Sequence, residues 1–96
     1  MVFDCIIIGC GLIGASVSRY LSRYKGNILV LERHNDVGEE TSSANSSIVH
    51  SGYDPKPGTL KAKFNVLGNK MMSQVSEELD VPFIRNGSLT VAFSIE

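Results

Sequence analysis

The chain has 96 residues, of which 43% are hydrophobic, and its formal net charge is −1. A chain of this size forms one hydrophobic core at most. It has no basic block that would bind nucleic acid and no apolar run near the roughly 18–20 residues that cross a bilayer, so at most a peripheral association with a membrane is expected. The N-terminus shows neither the basic segment nor the cleavage site of a secretory signal, which predicts a cytoplasmic location.

An aliphatic run that breaks into three glycines opens the chain. Residues 5–8 form a short run that is mostly β-branched and does not alternate with polar residues. Such a run is typical of a strand buried on both faces of a parallel sheet. Gly9, Gly11 and Gly14 follow with G-x-G-x-x-G spacing. Apolar residues then recur at steps of three and four, which predicts an amphipathic helix. These residues are Ile13, Val17, Tyr20, Leu21 and Tyr24.

The glycine pattern has a mechanism because a strand precedes it and a helix follows it. In that setting Gly9 supplies a tight turn, Gly11 lets the backbone approach a pyrophosphate, and Gly14 lets the helix pack closely on the strand. The pyrophosphate lies at the helix N-terminus, where free N–H groups and the helix dipole favour an anion. The alternative is a plain strand-to-helix turn whose glycines only reverse the chain.

A second strand completes a βαβ unit. Gly26 is expected to end the helix in a left-handed conformation, and residues 27–31 form another buried-strand run. Glu32 follows about 20 positions past the glycine turn, where a carboxylate accepts hydrogen bonds from adenosine ribose hydroxyls and repels a 2′-phosphate. Glu32 favours FAD or NAD over NADP, although the adjacent Arg33 weakens that preference. The alternative is a solvated carboxylate at a strand end.

Residues 36–58 form a long irregular segment that is rich in small hydroxyl and amide side chains. Loops of this length in compact domains tend to be functional or disordered. The functional interpretation is a platform of short donors that approach phosphate groups and ring edges closely. The alternatives are a flexible linker or the N-cap of a short helix. Ile48 and Val49, with the following residues 50–53, indicate a short strand that returns to the fold.

The last third of the chain predicts one long amphipathic helix and a β-hairpin. Thr59 is a good N-cap, apolar residues follow at helical spacing, and Pro82 is expected to stop the helix. The lysines on this helix indicate a solvated face, and the pair Met71 and Met72 indicates core packing. Alternating apolar residues on both sides of Asn86-Gly87 predict a hairpin over 83–95 with a type I′ turn. The alternating residues are Leu89, Val91, Phe93 and Ile95.

Two cysteines, Cys5 and Cys10, lie in the first strand and its glycine turn. Five positions along an extended strand exceed the Cα separation of a disulfide. Both are therefore predicted to be free, small, buried side chains in a reducing compartment. Neither has metal-ligand spacing nearby, so no metal site is predicted.

Four segments together carry a family resemblance: Ile-Ile-Gly-Cys-Gly-Leu-Ile-Gly at 7–14, Leu-Glu-Arg at 31–33, Thr-Ser-Ser-Ala-Asn-Ser-Ser-Ile-Val-His-Ser-Gly at 41–52 and Pro-Gly-Thr-Leu-Lys-Ala at 57–62. The chain resembles the FAD-dependent oxidoreductases of the D-amino-acid-oxidase superfamily. Within it, the pattern is most similar to the anaerobic-type glycerol-3-phosphate dehydrogenases, and the L-2-hydroxyglutarate dehydrogenases share much of it. The resemblance favours FAD over NAD.

The resemblance implies an α/β fold, with a Rossmann-like FAD-binding βαβ unit on a parallel sheet, then the long helix and the hairpin. It implies that the glycine turn and the first helical residues hold the pyrophosphate, and that the end of the second strand holds the adenosine end. The following loop would hold the pyrophosphate and the flavin side. In that order, the residues are Gly9, Gly11, Leu12, Ile13 and Gly14; Glu32 and Arg33; and Thr41, Ser42, Asn45 and Ser46.

His50 is the candidate catalytic residue, because the resemblance implies a position near the isoalloxazine ring. Three functional roles stay open for it. The imidazole would tune the flavin potential, share in removing the substrate hydroxyl proton, or link covalently to the flavin. The alternative is a structural imidazole that is hydrogen-bonded to the backbone.

Members of this family are several times longer than 96 residues, so the resemblance implies an N-terminal fragment. Residues 1–80 would belong to the FAD-binding domain and 81–96 to the start of a substrate domain, both incomplete. The implied function is oxidation of a secondary alcohol, best glycerol 3-phosphate to dihydroxyacetone phosphate, by hydride transfer to flavin N5, with no electron acceptor indicated. L-2-hydroxyglutarate oxidation and a non-catalytic nucleotide-binding fragment are the alternatives.

Overall fold

The structure, a computed structural model, describes residues 1–94. The chain divides into two compact units, Met1–Ile48 and Val49–Glu96. Unit 1 contains strand β1 (Cys5–Ile8), helix α1 (Leu12–Leu21) and strand β2 (Ile28–Leu31), and unit 2 contains helix α2 (Leu60–Glu78). None of the helices in this described part is both long and apolar enough to cross a membrane.

Unit 1 is a βαβ crossover built on two parallel strands. The strands pair in register from Cys5 opposite Ile28 to Ile8 opposite Leu31. Aliphatic, largely β-branched residues fit this pleated surface, and α1 supplies the crossover that a parallel pair requires. At one end of the pair, the Asn27 N–H donates to Asp4 Oδ2 over 2.8 Å. The predicted Rossmann-like α/β fold is confirmed in this unit.

Helix α1 ends earlier than the sequence suggested. It stops at Leu21, and Ser22 caps it in a right-handed conformation while its N–H donates to the carbonyl of Ser18. Gly26 lies five residues further on with φ 158°, so the prediction that Gly26 ends the helix is wrong. The last turn is closed by ordinary backbone bonds, and no left-handed residue is needed there.

The predicted short strand over 48–53 is also not formed, since residues 46–53 carry no strand pairing. Two apolar residues provide too few ladder bonds to hold a strand without an adjacent open edge.

Unit 2 is organised around α2. Thr59 accepts a hydrogen bond from the Ala62 N–H, which confirms the predicted N-cap. The helix ends at Glu78, four residues before Pro82, because Asp80 takes a left-handed conformation with φ 53° and the Val81 N–H donates to Ser76 O over 2.8 Å. These bonds form a Schellman motif, so the helix is stopped by its own capping geometry and Pro82 follows.

The predicted core face of α2 is largely exposed. Leu60 is 70% exposed and Phe64 60%, and Met71, predicted to pack in a core, is 48% exposed. Among residues 1–94 only Pro55 and Ser76 are buried, and no large hydrophobic side chain is. The reason is that the described part of unit 2 has no second helix and no sheet on which this face could pack.

The predicted hairpin is absent, because no strand forms in residues 83–94; Ile95 lies outside the described residues. Gly87 has φ 76°, but Asn86 is not in the positive-φ region. A type I′ turn requires positive φ at both central residues, so that turn assignment is wrong. An isolated two-stranded hairpin is marginal in water, and the described residues of unit 2 contain no other strand that could support one. The boundary between residues 80 and 81 concerns a longer chain and stays a prediction.

Candidate functional site

The glycine turn between β1 and α1 brings the helix very close to the strand. Gly9 has φ 92°, and its N–H donates to the carbonyl of Leu31 over 2.7 Å, which extends the parallel ladder past β1. A Cβ built on Gly14 would overlap the carbonyl oxygen of Gly9. Position 14 therefore has no room for any side chain, and the turn depends on both glycines.

The N-terminus of α1 is open. Its N-cap residue, Gly11, has no side chain to cap the helix, and the Leu12 N–H donates instead to Ser42 Oγ over 2.8 Å. In the described part of the chain, the N–H groups of Ile13 and Gly14 have no hydrogen-bond acceptor. Free N–H groups at the positive end of a helix dipole are suited to an anion.

Gly11 sets how close Ser42 comes to this terminus. A Cβ on Gly11 would lie 2.9 Å from Ser42 Oγ. Any side chain at position 11 would therefore displace the hydroxyl that holds the Leu12 N–H, and would also cover the space in front of the free N–H groups. The bare backbone at Gly11 keeps that space clear.

Glu32 lies directly after β2 and braces the glycine turn. Its Oε2 accepts from the Cys10 N–H over 2.7 Å, and its Oε1 accepts from the His34 N–H over 3.1 Å. The bond from Cys10, and then the bond from His34, hold the pKa of the Glu32 carboxyl below its ordinary value of 4.5. Glu32 is therefore ionised at neutral pH, and each oxygen keeps a lone pair that can accept from a hydroxyl.

Arg33 belongs to a small charged cluster that the sequence did not indicate. Its guanidinium pairs with Glu40, and His34 Nε2 lies 2.9 Å from the same carboxylate. Glu39 Oε2 is 3.6 Å from His34 Nδ1. Glu40 thus pairs with the cation next to Glu32. Spacings of six and seven residues in an irregular loop carry no periodic signal.

These residues share one open cleft of about 600 Å³ in unit 1. Six of the predicted site residues line it: Gly9, Gly11, Glu32, Arg33, Thr41 and Ser42. Leu12, Ile13 and Gly14 follow in the first turn of α1, and the cleft wall also includes His34, Glu39 and Glu40.

Asn45 and Ser46 do not line this cleft. Asn45 instead shapes the loop that carries Ser42. Its Nδ2 donates to the Ser42 carbonyl over 2.7 Å, and its Oδ1 accepts from the Ser47 N–H over 2.8 Å. Ser47 has φ 54°, so the loop makes a left-handed step there. Ser46 is exposed.

His50 belongs to unit 2 and has an exposed side chain. Its carbonyl accepts from Asn69 Nδ2 over 3.0 Å, which ties the residue to α2. Gly52, two residues on, has φ 101°, and a Cβ there would lie 2.5 Å from Val66 Cγ2. The segment from His50 to Gly52 is therefore held close against α2 at two points.

Comparison with known proteins decides what this arrangement is. Residues 4–96 match the model of the family described as FAD dependent oxidoreductase. The chain belongs to this family. The suspected superfamily and the FAD cofactor are thereby confirmed.

The chain is 54% identical over 92 residues to a glycerol 3-phosphate dehydrogenase of Caloramator mitchellensis, which covers 96% of this chain and 19% of that protein. It is 43% identical over 94 residues to a glycerol 3-phosphate oxidase of Mycoplasma genitalium, which covers 97% of this chain and 24% of that protein. An L-2-hydroxyglutarate dehydrogenase of Arabidopsis thaliana is 38% identical, covering 93% and 18%. The chain thus spans about a fifth of the length of the curated relatives it matches.

A solved structure has the same fold. The dithionite-reduced L-alpha-glycerophosphate oxidase of Mycoplasma pneumoniae with FAD bound superposes with a TM-score of 0.74 at 39% identity, over 79% of this chain and 20% of that one.

The residues present here fit FAD. A Cβ would fill the approach to the α1 N-terminus at Gly11 and would collide at Gly14, and two N–H groups beside them have no acceptor in the described part of the chain. An ionised carboxylate with free lone pairs lies in the same cleft. These are the donors that a pyrophosphate needs and the acceptor that a ribose needs.

Proposed function

We propose that this FAD dependent oxidoreductase chain is the nucleotide-binding part of a longer protein, here called the parent protein, that oxidises glycerol 3-phosphate to dihydroxyacetone phosphate. The observation that carries the proposal is the open α1 N-terminus next to an ionised Glu32 in one cleft. The choice of substrate is supported by the relatives named for glycerol 3-phosphate at 54% and 43% identity.

In this proposal the N–H groups of Ile13 and Gly14 donate to the FAD pyrophosphate. Both lack an acceptor among the described residues, whereas Leu12 N–H is already bound to Ser42. Gly9 and Gly11 hold the turn and keep the approach clear. Thr41 and Ser42 line the same cleft, and Asn45 holds the loop that carries Ser42 by donating to the Ser42 carbonyl.

Glu32 accepts hydrogen bonds from the adenosine ribose hydroxyls with the lone pairs that Cys10 and His34 leave free. Arg33, paired with Glu40, borders the same end. Because Glu32 is negative, a 2′-phosphate is repelled, and the site takes a nucleotide with a free 2′-hydroxyl.

Bound FAD supplies a hydride acceptor at flavin N5. The step assigned to this chain is proton transfer: His50 accepts the hydroxyl proton of the secondary alcohol as the C–H hydride leaves. Histidine is the side chain used most often for proton transfer near neutral pH. The exposed imidazole of His50, on a segment held against α2, is compatible with that role. A potential-tuning role and a covalent link remain the alternatives for His50.

The test is anaerobic reduction of the purified parent protein. Glycerol 3-phosphate is expected to bleach the flavin absorbance near 450 nm rapidly, on the order of 10²-fold or more faster than in His50→Ala. L-2-hydroxyglutarate is the second compound to be tested, because a relative named for it is 38% identical. Bleaching by that acid alone would reassign the substrate. A parent protein that purifies without flavin would support the non-catalytic alternative.

Acid precipitation separates the roles of His50. Flavin that stays with the protein pellet would establish a covalent link, and flavin released into the supernatant would exclude one. The cytoplasmic location stays a prediction, which cell fractionation tests. No electron acceptor is assigned, and oxygen consumption by the parent protein tests whether oxygen is one.

A further inference from the structure

A polar network lies on the middle of α2, in unit 2. Arg85 forms it by placing three donor groups on one turn of the helix. Its Nε donates to Ser73 Oγ over 2.9 Å, one terminal nitrogen donates to Asn69 Oδ1 over 2.9 Å, and the other donates to the Asn69 carbonyl over 2.6 Å. The guanidinium also lies 5.2 Å from the centre of the Phe83 ring. A planar fork fixed at this many points has little rotational freedom.

This fork decides how the Asn69 side chain is turned. An amide has one oxygen that accepts and one nitrogen that donates, and a guanidinium has donors alone. Arg85 therefore holds the Asn69 oxygen on its own side. The Asn69 nitrogen is left on the other side, where it donates to the His50 carbonyl over 3.0 Å.

The segment that receives this bond has a second contact with the same helix. A Cβ at Gly52 would lie 2.5 Å from Val66 Cγ2, so the backbone at Gly52 passes Val66 with no space to spare. Asn69 lies one turn further along α2 than Val66. The bond from Asn69 and the close approach at Gly52 together fix the position of the His50 backbone along α2.

We propose that Asn69 is a positioning residue for His50, and that Arg85 acts through Asn69 by fixing the orientation of its amide. The proposal rests on the proton-accepting role proposed for His50 above. Asn69 touches neither substrate nor cofactor in this assignment. Its effect is to keep the His50 imidazole at the place from which it takes the hydroxyl proton.

Asn69→Asp in the parent protein tests this directly. The carboxylate keeps an acceptor for Arg85, with added charge, but it replaces the donor facing the His50 carbonyl with a second acceptor. The contact between Arg85 and residue 69 is retained, while the new carboxylate and the His50 carbonyl oxygen repel each other. We expect kcat to fall roughly tenfold to a hundredfold, as small displacements of a catalytic group do, with KM for glycerol 3-phosphate and flavin content unchanged.

A further readout distinguishes positioning from a general loss of structure. Independently of activity, hydrogen exchange of a peptide that covers His50 to Gly52 should become faster, because the segment has lost one of its two attachments.

Lys70→Gln is the matched control. It lowers the charge by one unit at the neighbouring position, as Asn69→Asp does, and Lys70 is exposed on α2. It should leave kcat and the exchange of the 50–52 peptide unchanged. Arg85→Lys is the second variant: a lysine cannot occupy the fork, so the Asn69 amide is free to turn, and kcat should fall in the same direction by a smaller factor.

Equal kcat and equal exchange in Asn69→Asp, Arg85→Lys and Lys70→Gln would overturn the positioning role. If Asn69→Asp does not fold, Arg85→Lys alone decides the question by the same comparison. The proposed function fails in a different way: wild-type protein would not be bleached by glycerol 3-phosphate, or His50→Ala would react at the wild-type rate. The exchange measurement then still decides whether Asn69 holds the His50 segment.

Discussion

The two helices of this chain begin in opposite ways. Helix α2 is capped by its own N-cap residue, because the Thr59 hydroxyl accepts from the Ala62 N–H three residues later, over 3.2 Å. Helix α1 has Gly11 at the same position and no side-chain cap of its own. Its first N–H is bound by Ser42, thirty residues along the chain, and its preceding turn is bound by Glu32, twenty-two residues from Cys10.

This difference separates a structural helix terminus from one that is prepared for a ligand. A local cap satisfies the orphan N–H groups at the start of a helix without help from other parts of the fold. At α1 the distant contacts hold the turn in place but leave the N–H groups of Ile13 and Gly14 without an acceptor in the described part of unit 1. A bound pyrophosphate would supply the acceptors for these N–H groups.

The largest effect is expected at the glycine turn. Gly14→Ala places a methyl group on the Gly9 carbonyl oxygen, so the helix must move away from β1, at a cost of about 1–3 kcal/mol for an overpacked contact. That movement also displaces the free N–H groups. We expect the parent protein with Gly14→Ala to purify without FAD, as measured by its visible absorbance.

Gly68→Ala is the control for this substitution. Gly68 lies within α2, and a Cβ there would have no atom within 4 Å. Removing a helical glycine should stabilise the protein by roughly 0.4–1 kcal/mol and leave the FAD content unchanged. Full FAD occupancy in Gly14→Ala would mean that the helix does not need its close approach to the strand.

Sequence reasoning succeeded where the determining residues are neighbours. Gly9, Gly11 and Gly14 encode the turn within six positions, and Thr59 encodes the start of α2 within three, so both were predicted correctly. The hairpin over 83–95 was not formed in its described part, since a strand pair depends on partners that local alternation does not supply.

The site was predictable to the same extent. Glu32, Gly9 and Gly11 follow a spacing that has a mechanism, and the structure places them in one cleft. The contact of Ser42 with Leu12, the pairing of Glu40 with Arg33 and the attachment of His50 to Asn69 join distant positions. No periodicity or spacing in the sequence predicts such contacts, because they are set by how the loops fold back on the helices.

An intermediate effect is expected at Glu32, the distant acceptor of the α1 turn. Its pKa is lowered in the folded state, so ionised Glu32 stabilises the fold above the ordinary value of 4.5, and this stabilisation is lost as the pH falls through the lower, folded-state pKa. Glu32→Gln removes the charge at every pH. We expect it to weaken FAD binding roughly tenfold at neutral pH, as for a lost bond to a charged group.

The acid response gives the sharper readout. Below pH 4.5 the wild-type turn should lose stability with falling pH, while the curve of Glu32→Gln should be flatter over the same range. Glu77→Gln makes the same chemical change on the exposed surface of α2 and should follow the wild-type curve. Parallel acid-unfolding curves for wild type and Glu32→Gln, followed by circular dichroism, would contradict the bracing role of this carboxylate.

The smallest effect is expected at the helix that caps itself. Thr59→Ala removes the acceptor for the Ala62 N–H and should destabilise the first turn of α2 by about 1 kcal/mol, the usual loss for such a cap. Hydrogen exchange at Ala62 should become roughly fivefold faster, while Thr59→Ser, which keeps the hydroxyl, should exchange at nearly the wild-type rate. FAD content should be unaffected, because this terminus offers its N–H to its own chain and not to the cofactor. Loss of flavin in Thr59→Ala with retention in Thr59→Ser would show that the α2 cap also supports the cofactor site, and the division between the two helix termini would not hold.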